Sequence, residues 1–470
     1  MKLRPYPGCK DSGVPWLGEV PAEWEVHRLK FLCRNINGQT SEKNPDDACI
    51  ALENVESWTG RIQLPKHEVT IDSLVKRFQS GDVLFGKLRP YLAKIARPHF
   101  SGVCVGEFLV LRVADNSLLP DFLEYKLRSK QMIDIINSST FGAKMPRADW
   151  GFIGNIRFAY PSIEEQTQIA SFLDWKTAQI DRFIRAKRQL IDLLKEQKQA
   201  LINQAVTGAI DVRTGKPYPE YKDSGVPWLG KVPAGWQILP IKRVVRFNPS
   251  KSETGDSPSV DKQVCFLPME RISEEGEIDC SEKRQLSEVW EGFTYFRRGD
   301  VVLAKITPCF ENGKGAYLYE LETEYGFGTT ELFVLRPTRK IHGAFLRFVT
   351  ATKTFRWLGA QNMTGAAGQQ RVPSSFVKNF QIGLPPLDEQ EAIVSFIQRI
   401  SNSIGTAITR TQREIELTQE YRTRLIADVV TGKLDVRDVE VPEVDELEEA
   451  VGEGVITGDA VAQDNLEVAM

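Results

Sequence analysis

The sequence predicts an α+β protein: two mixed α/β domains joined by two long helices that pair as an intramolecular antiparallel coiled coil. Three observations lead to this prediction. They are a long stretch with heptad periodicity, a second copy of that stretch, and a Gly/Pro/Trp-rich segment that precedes each domain. Together they indicate an internal repeat with pseudo-two-fold symmetry, because a duplicated chain folds most simply as two copies of one unit.

The first observation is the stretch 164–205, which contains no Pro and no Gly. Its apolar residues alternate three and four apart, which is the 3.5-residue period of a coiled coil. These seam positions are Leu173, Ile180, Ile184, Ile191, Leu194, Leu201 and Ala205. Because Lys187 and Lys198 interrupt the seam, we expect a pair of helices with polar register markers. Gly208 is the expected stop.

The second observation is that the same seam recurs 224 residues later. The recurring positions are Ile397, Ile404, Ile408, Ile415, Thr418, Leu425 and Val429, with Arg422 in place of Lys198. The ends match as LINQAVTGAIDV (201–212) and LIADVVTGKLDV (425–436), and the starts as PSIEEQTQIASFL (161–173) and PPLDEQEAIVSFI (385–397). A match of this length indicates a duplication.

The third observation is a segment that we call the clasp. KDSGVPWLGEVPAEW (10–24) and KDSGVPWLGKVPAGW (222–236) are identical at thirteen of fifteen positions. Gly and Pro exclude a long helix or strand here, so we expect irregular segments that dock through Trp16, Trp24, Trp228 and Trp236. An antiparallel helix pair returns the chain to its start. The N-terminal clasp should therefore pack near Leu425–Val436 and close a near-circular path.

These repeats divide the chain into seven predicted parts. They are an N-terminal clasp segment (1–24), a first domain (25–160), a first long helix (161–212), a second clasp segment (213–236), a second domain (237–384), a second long helix (385–436) and an acidic tail (437–470).

The net charge of −3 conceals an uneven distribution. Residues 438–470 hold eleven Asp or Glu and no Lys or Arg, which leaves +8 on residues 1–437. A basic body points to an anionic partner. The tail lacks aromatic residues, and we expect either a disordered or partner-docking extension or a solubilising appendage.

The sequence shows no run of 18 apolar residues and no apolar signal core at its start, which argues against membrane insertion and export. Its seven cysteines are scattered without a C-x-x-C pair, as is typical of buried thiols in a reducing cytoplasm. We therefore expect a cytoplasmic protein.

Signatures of catalysis are absent from the sequence. There is no G-x-x-x-x-G-K-[ST] loop and no Gly-rich loop that opens a helix after a strand. The four histidines lie far apart, without the spacing of metal ligands. Nucleophilic or carboxylate catalysis stays open, although no motif supports it. The sequence therefore favours a binding protein without a metal or cofactor of its own.

Basic, polar and aromatic residues cluster in two pairs of matching segments. GDVLFGKLRPYLAKIA (81–96) matches GDVVLAKITPCFENGKGA (299–316), and FGAKMPR (141–147) matches GAAGQQRVP (365–373). Side chains after the Gly-Asp turn suit phosphate contact, while Arg, Lys and Gln can read base edges. The predicted DNA contacts are Lys87, Arg89, Tyr91, Lys94, Lys144, Arg147, Lys305, Thr307, Asn312, Lys314, Gln369, Gln370 and Arg371. The alternative for each is a solvated surface loop.

Taken together, residues 1–436 resemble the DNA-specificity subunits of type I restriction–modification systems. The resemblance rests on the clasp KDSGVPWLG, on the two segments after the Gly-Asp turns, and on the P-x-x-E/D-E-Q start of each helix. It implies two target-recognition domains, each reading half of a split double-stranded DNA site, with the paired helices setting the gap.

The resemblance also implies partners. These are two copies of an adenine methyltransferase subunit and, for cleavage, ATP-dependent translocase–nuclease subunits, in a bacterium or archaeon. S-adenosylmethionine, ATP and Mg are expected on those partners and none on this chain, which is expected to be non-catalytic.

Three alternatives remain. The first is the specificity protein of a type II-like or orphan methylation system without a translocase. The second is an enzyme in its own right, a nuclease or methyltransferase, which the missing cofactor and phosphate loops disfavour. The third is a coiled-coil scaffold that joins proteins without binding DNA.

Overall fold

The structure is a computed structural model that describes residues 3–41, 47–64, 74–114, 116–142, 144–366 and 368–442. The chain divides into two compact units. The first comprises the described residues up to Lys187 together with those from Arg413 onward, and the second is Arg188–Gln412. Both boundaries fall inside long helices, so each unit contains the start of one helix and the end of the other.

The first unit contains two four-stranded sheets and four short helices ahead of the first long helix. Its elements are β1 Cys9–Asp11, β2 Glu19–Pro21, β3 Glu25–Arg28, α1 Leu29–Leu32, β4 Cys33–Ile36, β5 Gln39–Thr40, β6 Ala48–Ile50, β7 Val75–Phe78, β8 Val83–Gly86, β9 Ile95–Ala96, β10 Gly102–Val105, β11 Phe108–Val113, α2 Pro120–Arg128, α3 Lys130–Ser138, α4 Trp150–Ile153 and β12 Arg157–Tyr160. One sheet has the antiparallel order β4-β11-β8-β9, and the other has the order β5-β7-β10-β6 with β10 and β6 parallel. Two further pairs, β1 with β2 and β12 with β3, are antiparallel.

Strand β11 shows why the core has two layers. Its run Phe-Leu-Val-Leu is apolar at every position because both faces of the sheet are covered. Phe108 and Val110 join the cluster formed with the second sheet, whereas Leu109 and Leu111 join the cluster that contains the helices. The division follows from the opposite directions of successive side chains in a strand.

The first long helix, α5, spans Ile163–Thr207 and leads into the second unit. That unit resembles the first, although the edge strand of its second sheet lies on the other side. Its elements are β13 Tyr221–Asp223, β14 Lys231–Pro233, β15 Gln237–Pro240, β16 Val245–Phe247, β17 Gln263–Leu267, β18 Lys283–Gln285, α6 Leu286–Val289, β19 Thr294–Arg297, β20 Val301–Ala304, β21 Gly315–Tyr317, β22 Tyr325–Gly328, β23 Leu332–Pro337, α7 Gly343–Ala351, α8 Lys353–Gln361, α9 Ser374–Asn379, β24 Gln381–Leu384 and the long helix α10 Leu387–Val430. Its sheets are β16-β23-β20-β21 and β18-β17-β22-β19, with the pairs β13–β14 and β15–β24.

Within the first unit the two long helices run side by side in opposite directions. Lys187 of α5 forms an ion pair with Glu414 of α10 at 2.9 Å, and Asp181 accepts a hydrogen bond from Arg422 at 2.8 Å. The partner number falls as the α5 number rises, which fixes the direction as antiparallel. Two of the predicted polar markers, Lys187 and Arg422, thus contact the opposite helix. The predicted fold class is confirmed, whereas the knobs-into-holes packing of a coiled coil stays a prediction.

Both long helices end at the predicted type of residue. Helix α5 stops before Gly208 (φ 76°) and α10 before Gly432 (φ 77°), in the left-handed conformation that favours glycine after a helix. A β-carbon at either glycine would lie within 2.4 Å of a clasp proline ring, that of Pro233 or Pro21 respectively. Each clasp therefore packs on the end of a long helix.

For the N-terminal clasp this contact confirms the predicted closure of the chain path. The backbone of Arg4 pairs with that of Asp435 in an isolated bridge, and Asp435 N donates to Arg4 O at 2.8 Å. The ordered contacts continue past the predicted helix segment, since Val439 is buried and its carbonyl accepts a hydrogen bond from Gln168 at 2.5 Å. The remainder of the predicted tail, 443–470, lies outside the described residues.

A buried carboxylate joins the first clasp to the start of α5. Glu165 Oε1 accepts hydrogen bonds from the Trp24 indole at 2.9 Å and from the Tyr6 hydroxyl at 2.5 Å. Glu165 is the third residue of the helix, where the amino-terminal dipole favours negative charge. Burial and this carboxylate raise the pKa of Tyr6. The indole is fully buried, and its area alone contributes about 4 kcal/mol.

The second unit repeats this contact. Glu389 Oε1 accepts hydrogen bonds from the Trp236 indole at 2.9 Å and from the Tyr218 hydroxyl. Burial raises the pKa of Tyr218, as it does at the equivalent position in the first unit. The P-x-x-E/D-E-Q motif therefore has a structural role in both copies.

The glutamine of the same motif is fully buried in both units. Gln166 accepts a hydrogen bond from Leu119 N at 2.8 Å and donates to Ser117 O at 2.8 Å. Gln390 does the same with His342 N at 2.7 Å and Lys340 O at 3.0 Å. Each amide thus fixes the loop that precedes the helix α2 or α7 against the start of a long helix.

The cysteine expectation needs correction. Cys265 in β17 and Cys280 are joined in a disulfide, although the sequence suggested isolated thiols. The cause is tertiary, because the chain folds back between β17 and β18 and brings two cysteines 15 residues apart together. Cys33 and Cys104 are buried thiols. Among the described residues, no helix has the length and apolar character needed to cross a membrane.

A lysine lies buried where α2 meets the end of α10. Lys126 Nζ donates to Val430 O at 2.5 Å and lies 5.4 Å from the centre of the Trp24 ring. Burial lowers the pKa of Lys126 to about 7. Helices α2 and α7 have the same length. One residue separates α2 from α3, and one residue separates α7 from α8. The equivalent position in the second unit is therefore Val349, which is apolar.

This lysine should make stability depend on pH. Its pKa is lower in the folded than in the unfolded chain, so the charge opposes folding at pH below 7, and the penalty disappears as pH rises toward 10.5. We expect the stability of the wild type relative to Lys126→Met to rise by up to about 1.4 kcal/mol per pH unit in this window. Urea unfolding of both proteins at several pH values measures it. The exposed Lys10→Met is the control, and a difference that is independent of pH would contradict the assignment.

Candidate nucleic-acid interface

The two predicted clusters of the first unit form one surface. A strand-like bridge pairs Leu88 with Arg147, flanked by hydrogen bonds from Arg89 N to Pro146 O (2.8 Å) and from Ala148 N to Lys87 O (2.9 Å). Arg147 also pairs on its other side with Phe141, which closes a turn. We call residues 141–147 the first hairpin; residue 143 lies outside the described residues. Segments far apart in sequence thus meet at the exit of β8.

The second unit has the same arrangement. Ile306 pairs with Arg371, and Arg371 pairs with Thr364 on its other side. The flanking hydrogen bonds run from Thr307 N to Gln370 O and from Val372 N to Lys305 O, both at 2.9 Å. We call residues 364–371 the second hairpin; residue 367 lies outside the described residues. Both units therefore hold a hairpin on the strand that follows the Gly-Asp turn.

The arginine of each hairpin is held by a glutamate. Arg147 donates to both carboxylate oxygens of Glu107, at 3.3 and 3.1 Å. Arg371 donates to both oxygens of Glu331, at 2.9 and 2.8 Å. The hydrogen bonds raise the pKa of both arginines and lower the pKa of Glu331. The edge of the guanidinium that binds carboxylates is thus occupied, which favours a positioning role. Base contact by Arg147 and Arg371 stays a prediction.

Neither glutamate was singled out from the sequence. A signal was nevertheless available, because Glu107 and Glu331 are 224 residues apart, as are Arg147 and Arg371. Opposite charges that recur at one common offset are candidates for a pair in both copies.

Lys94 and Lys314 have structural contacts. Lys94 Nζ donates to Leu52 O at 2.6 Å, and Lys314 Nζ donates to Met269 O at 3.0 Å. Leu52 and Met269 each begin an equivalent 3₁₀ turn. Both lysines are only partly exposed. The geometry therefore gives them a role in holding a loop, and DNA contact by either stays a prediction.

The other predicted residues divide by exposure. Those that are exposed are Arg89, Tyr91, Lys144, Asn312 and Gln369, whereas Lys87, Lys305, Thr307 and Gln370 are partly exposed. Lys87 lies near the buried Lys76, whose pKa is lowered first by burial and then by the charge of Lys87. Such a concentration of positive charge suits an anion. In the second unit, Lys305 Nζ lies 5.6 Å from the centre of the Phe333 ring.

The described residues contain no cluster of three or more His, Cys, Asp or Glu side chains that could hold a metal ion. Each unit has a hairpin with polar and basic side chains. The two hairpins occupy equivalent positions, each beside the segment that follows β8 or β20.

The chain is similar in sequence and in fold to several known proteins. Residues 291–419 match the family model described as the type I restriction modification DNA specificity domain. Over 295 residues the chain is 30% identical to the EcoAI specificity subunit of Escherichia coli. The chain is thus similar to the specificity subunits of this family. It is also 23% identical over 455 residues to the MjaVIII specificity subunit of Methanocaldococcus jannaschii, an alignment that covers 89% of this chain and 95% of the relative.

The extent of these matches differs. The alignment with the EcoAI subunit covers 59% of this chain and about half of the relative (48%), and that with the EcoEI subunit of Escherichia coli covers 34% of the relative. Two solved structures share the fold. One comes from work on complex assembly and conformational transition of a type I R-M system. Its TM-score is 0.67 at 18% identity, and the match covers 88% of this chain and 99% of that chain. The other is the HsdS subunit from Thermoanaerobacter tengcongensis. Its TM-score is 0.51 at 19% identity, and the match covers 88% of this chain and 98% of that chain.

Exchanging charges tests whether Arg147 positions the hairpin or reads bases. We expect Arg147→Glu or Glu107→Arg alone to weaken DNA binding, because each places like charges side by side. The double exchange should restore most of the lost affinity if the pair positions the hairpin. Dissociation constants of the four proteins on one duplex measure the coupling, and the same cycle at Glu331 and Arg371 is the matched control. A double exchange that binds as poorly as Arg147→Glu would assign that arginine to base contact.

Proposed function

We propose that this specificity subunit reads a bipartite double-stranded DNA site, one half with each unit, and positions catalytic partners on it. The partners are two adenine methyltransferase subunits and, for cleavage, restriction subunits with translocase activity. S-adenosylmethionine, ATP and Mg belong to those partners, and this chain contributes binding without catalysis.

The observation that carries the proposal is the repeated hairpin. Both units hold it with the same bridge pattern and the same Arg–Glu pair, but the residues between the bridges differ. The first hairpin carries Lys144 and Met145, and the second carries Gln369 and Gln370. Two different base sequences can be read from the same backbone support if the side chains between the bridges differ. The reason is that specificity resides in the groups that reach base edges.

The charge distribution supports DNA as the ligand. Residues 87–94 and 141–148 contain five Lys or Arg and no Asp or Glu. Cationic side chains around an exposed hairpin attract the phosphate backbone and release counterions on binding. DNA binding of this kind is sensitive to salt, which gives a direct experiment.

The experiment removes two cations of the first unit. Lys87→Ala with Arg89→Ala should weaken binding and flatten the slope of log K against log salt concentration by about 1.8, since each phosphate contact contributes about 0.9. Binding is measured over a salt series on a duplex that contains the site found by sequencing methylated adenines in cells with and without this gene. Lys94→Ala is the control, because its ammonium group contacts a backbone carbonyl. An unchanged slope in the double variant would remove this segment from the interface.

The long helices generate a second prediction, about the gap between the half-sites. Deleting 185–191 with 409–415 removes one heptad from each helix and keeps both seams in phase. It also removes Lys187 and Glu414 together. The half-sites should then be drawn together by about 10 Å, or about three base pairs at 3.4 Å each. We expect loss of binding to the native site and recovery on a site with a shorter gap.

Binding to a panel of duplexes that differ only in gap length measures the effect of the deletion. Deleting 185–191 alone is the control and should be worse, because the seams then mismatch. If the double deletion kept the native gap preference, the helices would not set the spacing.

A further inference from the structure

The first hairpin exposes two large apolar side chains. Phe141 is 65% exposed and Met145 is 48% exposed. Residues directly opposite in an antiparallel pair project from the same face, so the Phe141 side chain lies beside Arg147, in a row that begins at Leu88. An aromatic ring held in solvent at a fixed point of a sheet suggests a contact surface.

The hairpin that carries this ring is well supported. Phe141 and Arg147 exchange two backbone hydrogen bonds, at 3.1 and 3.4 Å. The Arg147 side chain donates two further hydrogen bonds to the Glu107 carboxylate. Gly142 at the turn has φ 93°, a conformation that a residue with a side chain rarely adopts. The backbone position of Phe141 is therefore defined before any ligand binds, which reduces the entropy lost on contact.

The surroundings of Phe141 are cationic. Lys144 lies in the same turn, and Arg89 donates its backbone N–H to the hairpin at Pro146. Arg89 and Lys144 are exposed. An apolar ring among cations complements a ligand with flat apolar faces and an anionic border. Nucleic acid has that chemistry, since stacked bases lie between phosphate chains. A protein partner with an apolar surface would not explain the charges.

The second hairpin differs at this point. Thr364 occupies the place of Phe141, because each pairs with the hairpin arginine across the same bridge. Its turn offers Gln369 and Gln370, whose amides can donate and accept hydrogen bonds at base edges. The two supports are thus alike, while the contacts they offer are aromatic in one unit and amide in the other.

We propose that Phe141 is an intercalating wedge. Its ring stacks against a base of the first half-site and partly opens a base step, with Met145 packing on the same step, while the second half-site is read by the Gln369 and Gln370 amides without unstacking. Apolar side chains that enter a base step unstack it and kink the duplex. The inference rests on the proposed DNA-binding function and adds a mode of contact for one half-site.

The test uses the full chain with its methyltransferase partner and a duplex that contains the site mapped from methylated adenines. 2-Aminopurine replaces single adenines in each half-site other than the methylated ones, because its fluorescence rises when it unstacks and a methyltransferase flips its own target base out of the duplex. We expect a rise in the first half-site only, abolished by Phe141→Ala. Affinity should fall about 5- to 150-fold, the range for loss of one base–aromatic stack, with an unchanged salt slope because no charge is removed. Phe141→Trp should keep both signals.

Two control variants separate the wedge from a general effect of exposed rings. Phe31 in α1 is 64% exposed, which matches Phe141, and Phe31→Ala should bind DNA as the wild type does. Thr364→Ala should give the same 2-aminopurine fluorescence in both half-sites as the wild type.

Several results would overturn the proposal. The first is a DNA affinity of Phe141→Ala within twofold of that of the wild type. The second is an equal loss of DNA affinity in Phe31→Ala. The third is failure of Phe141→Ala to bind the methyltransferase partner, which would make the ring a protein contact. A wild-type complex without preference for the mapped site would instead reject the proposed DNA-reading function. A wild type that prefers the site, with Phe141→Ala unchanged, rejects the wedge alone.

Discussion

Each unit depends on one carboxylate buried at the start of a long helix. Glu165 accepts hydrogen bonds from Trp24 and Tyr6, and Glu389 accepts the equivalent pair in the second unit. A buried charge is costly unless it is hydrogen-bonded, and here two neutral donors and the helix dipole offset that cost. The same contact brings a clasp, a helix start and the end of the other long helix into one core. Removing the Trp and Tyr donors would leave Oε1 of each buried carboxylate without these two hydrogen bonds.

The consequence is that each unit is assembled from segments that are distant in sequence. In the first unit the N-terminal clasp and the end of α10 pack in one hydrophobic cluster with the start of α5. In the second unit the end of α5 occupies the place that α10 has in the first. The bridge between Arg4 and Asp435 in the first unit matches the bridge between Lys216 and Asp211 in the second.

On this support the two units carry different surfaces. The Gly-Asp turn, the strand after it and the Arg–Glu pair are the same in both, and the aspartate of the turn is itself bound to an arginine, as Asp82 to Arg112 and Asp300 to Arg336. These contacts fix backbone and leave the hairpin turns free to vary. Between the fixed bridges, the two hairpins carry different side chains.

The sequence alone determined the duplication, the two long helices with their ends, the clasps and the class of function, because periodicity, glycine stops and repeated motifs are local properties of the chain. It also placed Lys87, Arg89 and Lys144 in loops with a charge that suits DNA. The tertiary structure decided which of the candidates project. Lys94 and Lys314 contact backbone carbonyls, and Arg147 and Arg371 contact glutamates that the sequence had not singled out. Hydrogen-bond partners 40 residues apart, like the disulfide partners Cys265 and Cys280, have no periodic signal, since they meet only after the strands have paired.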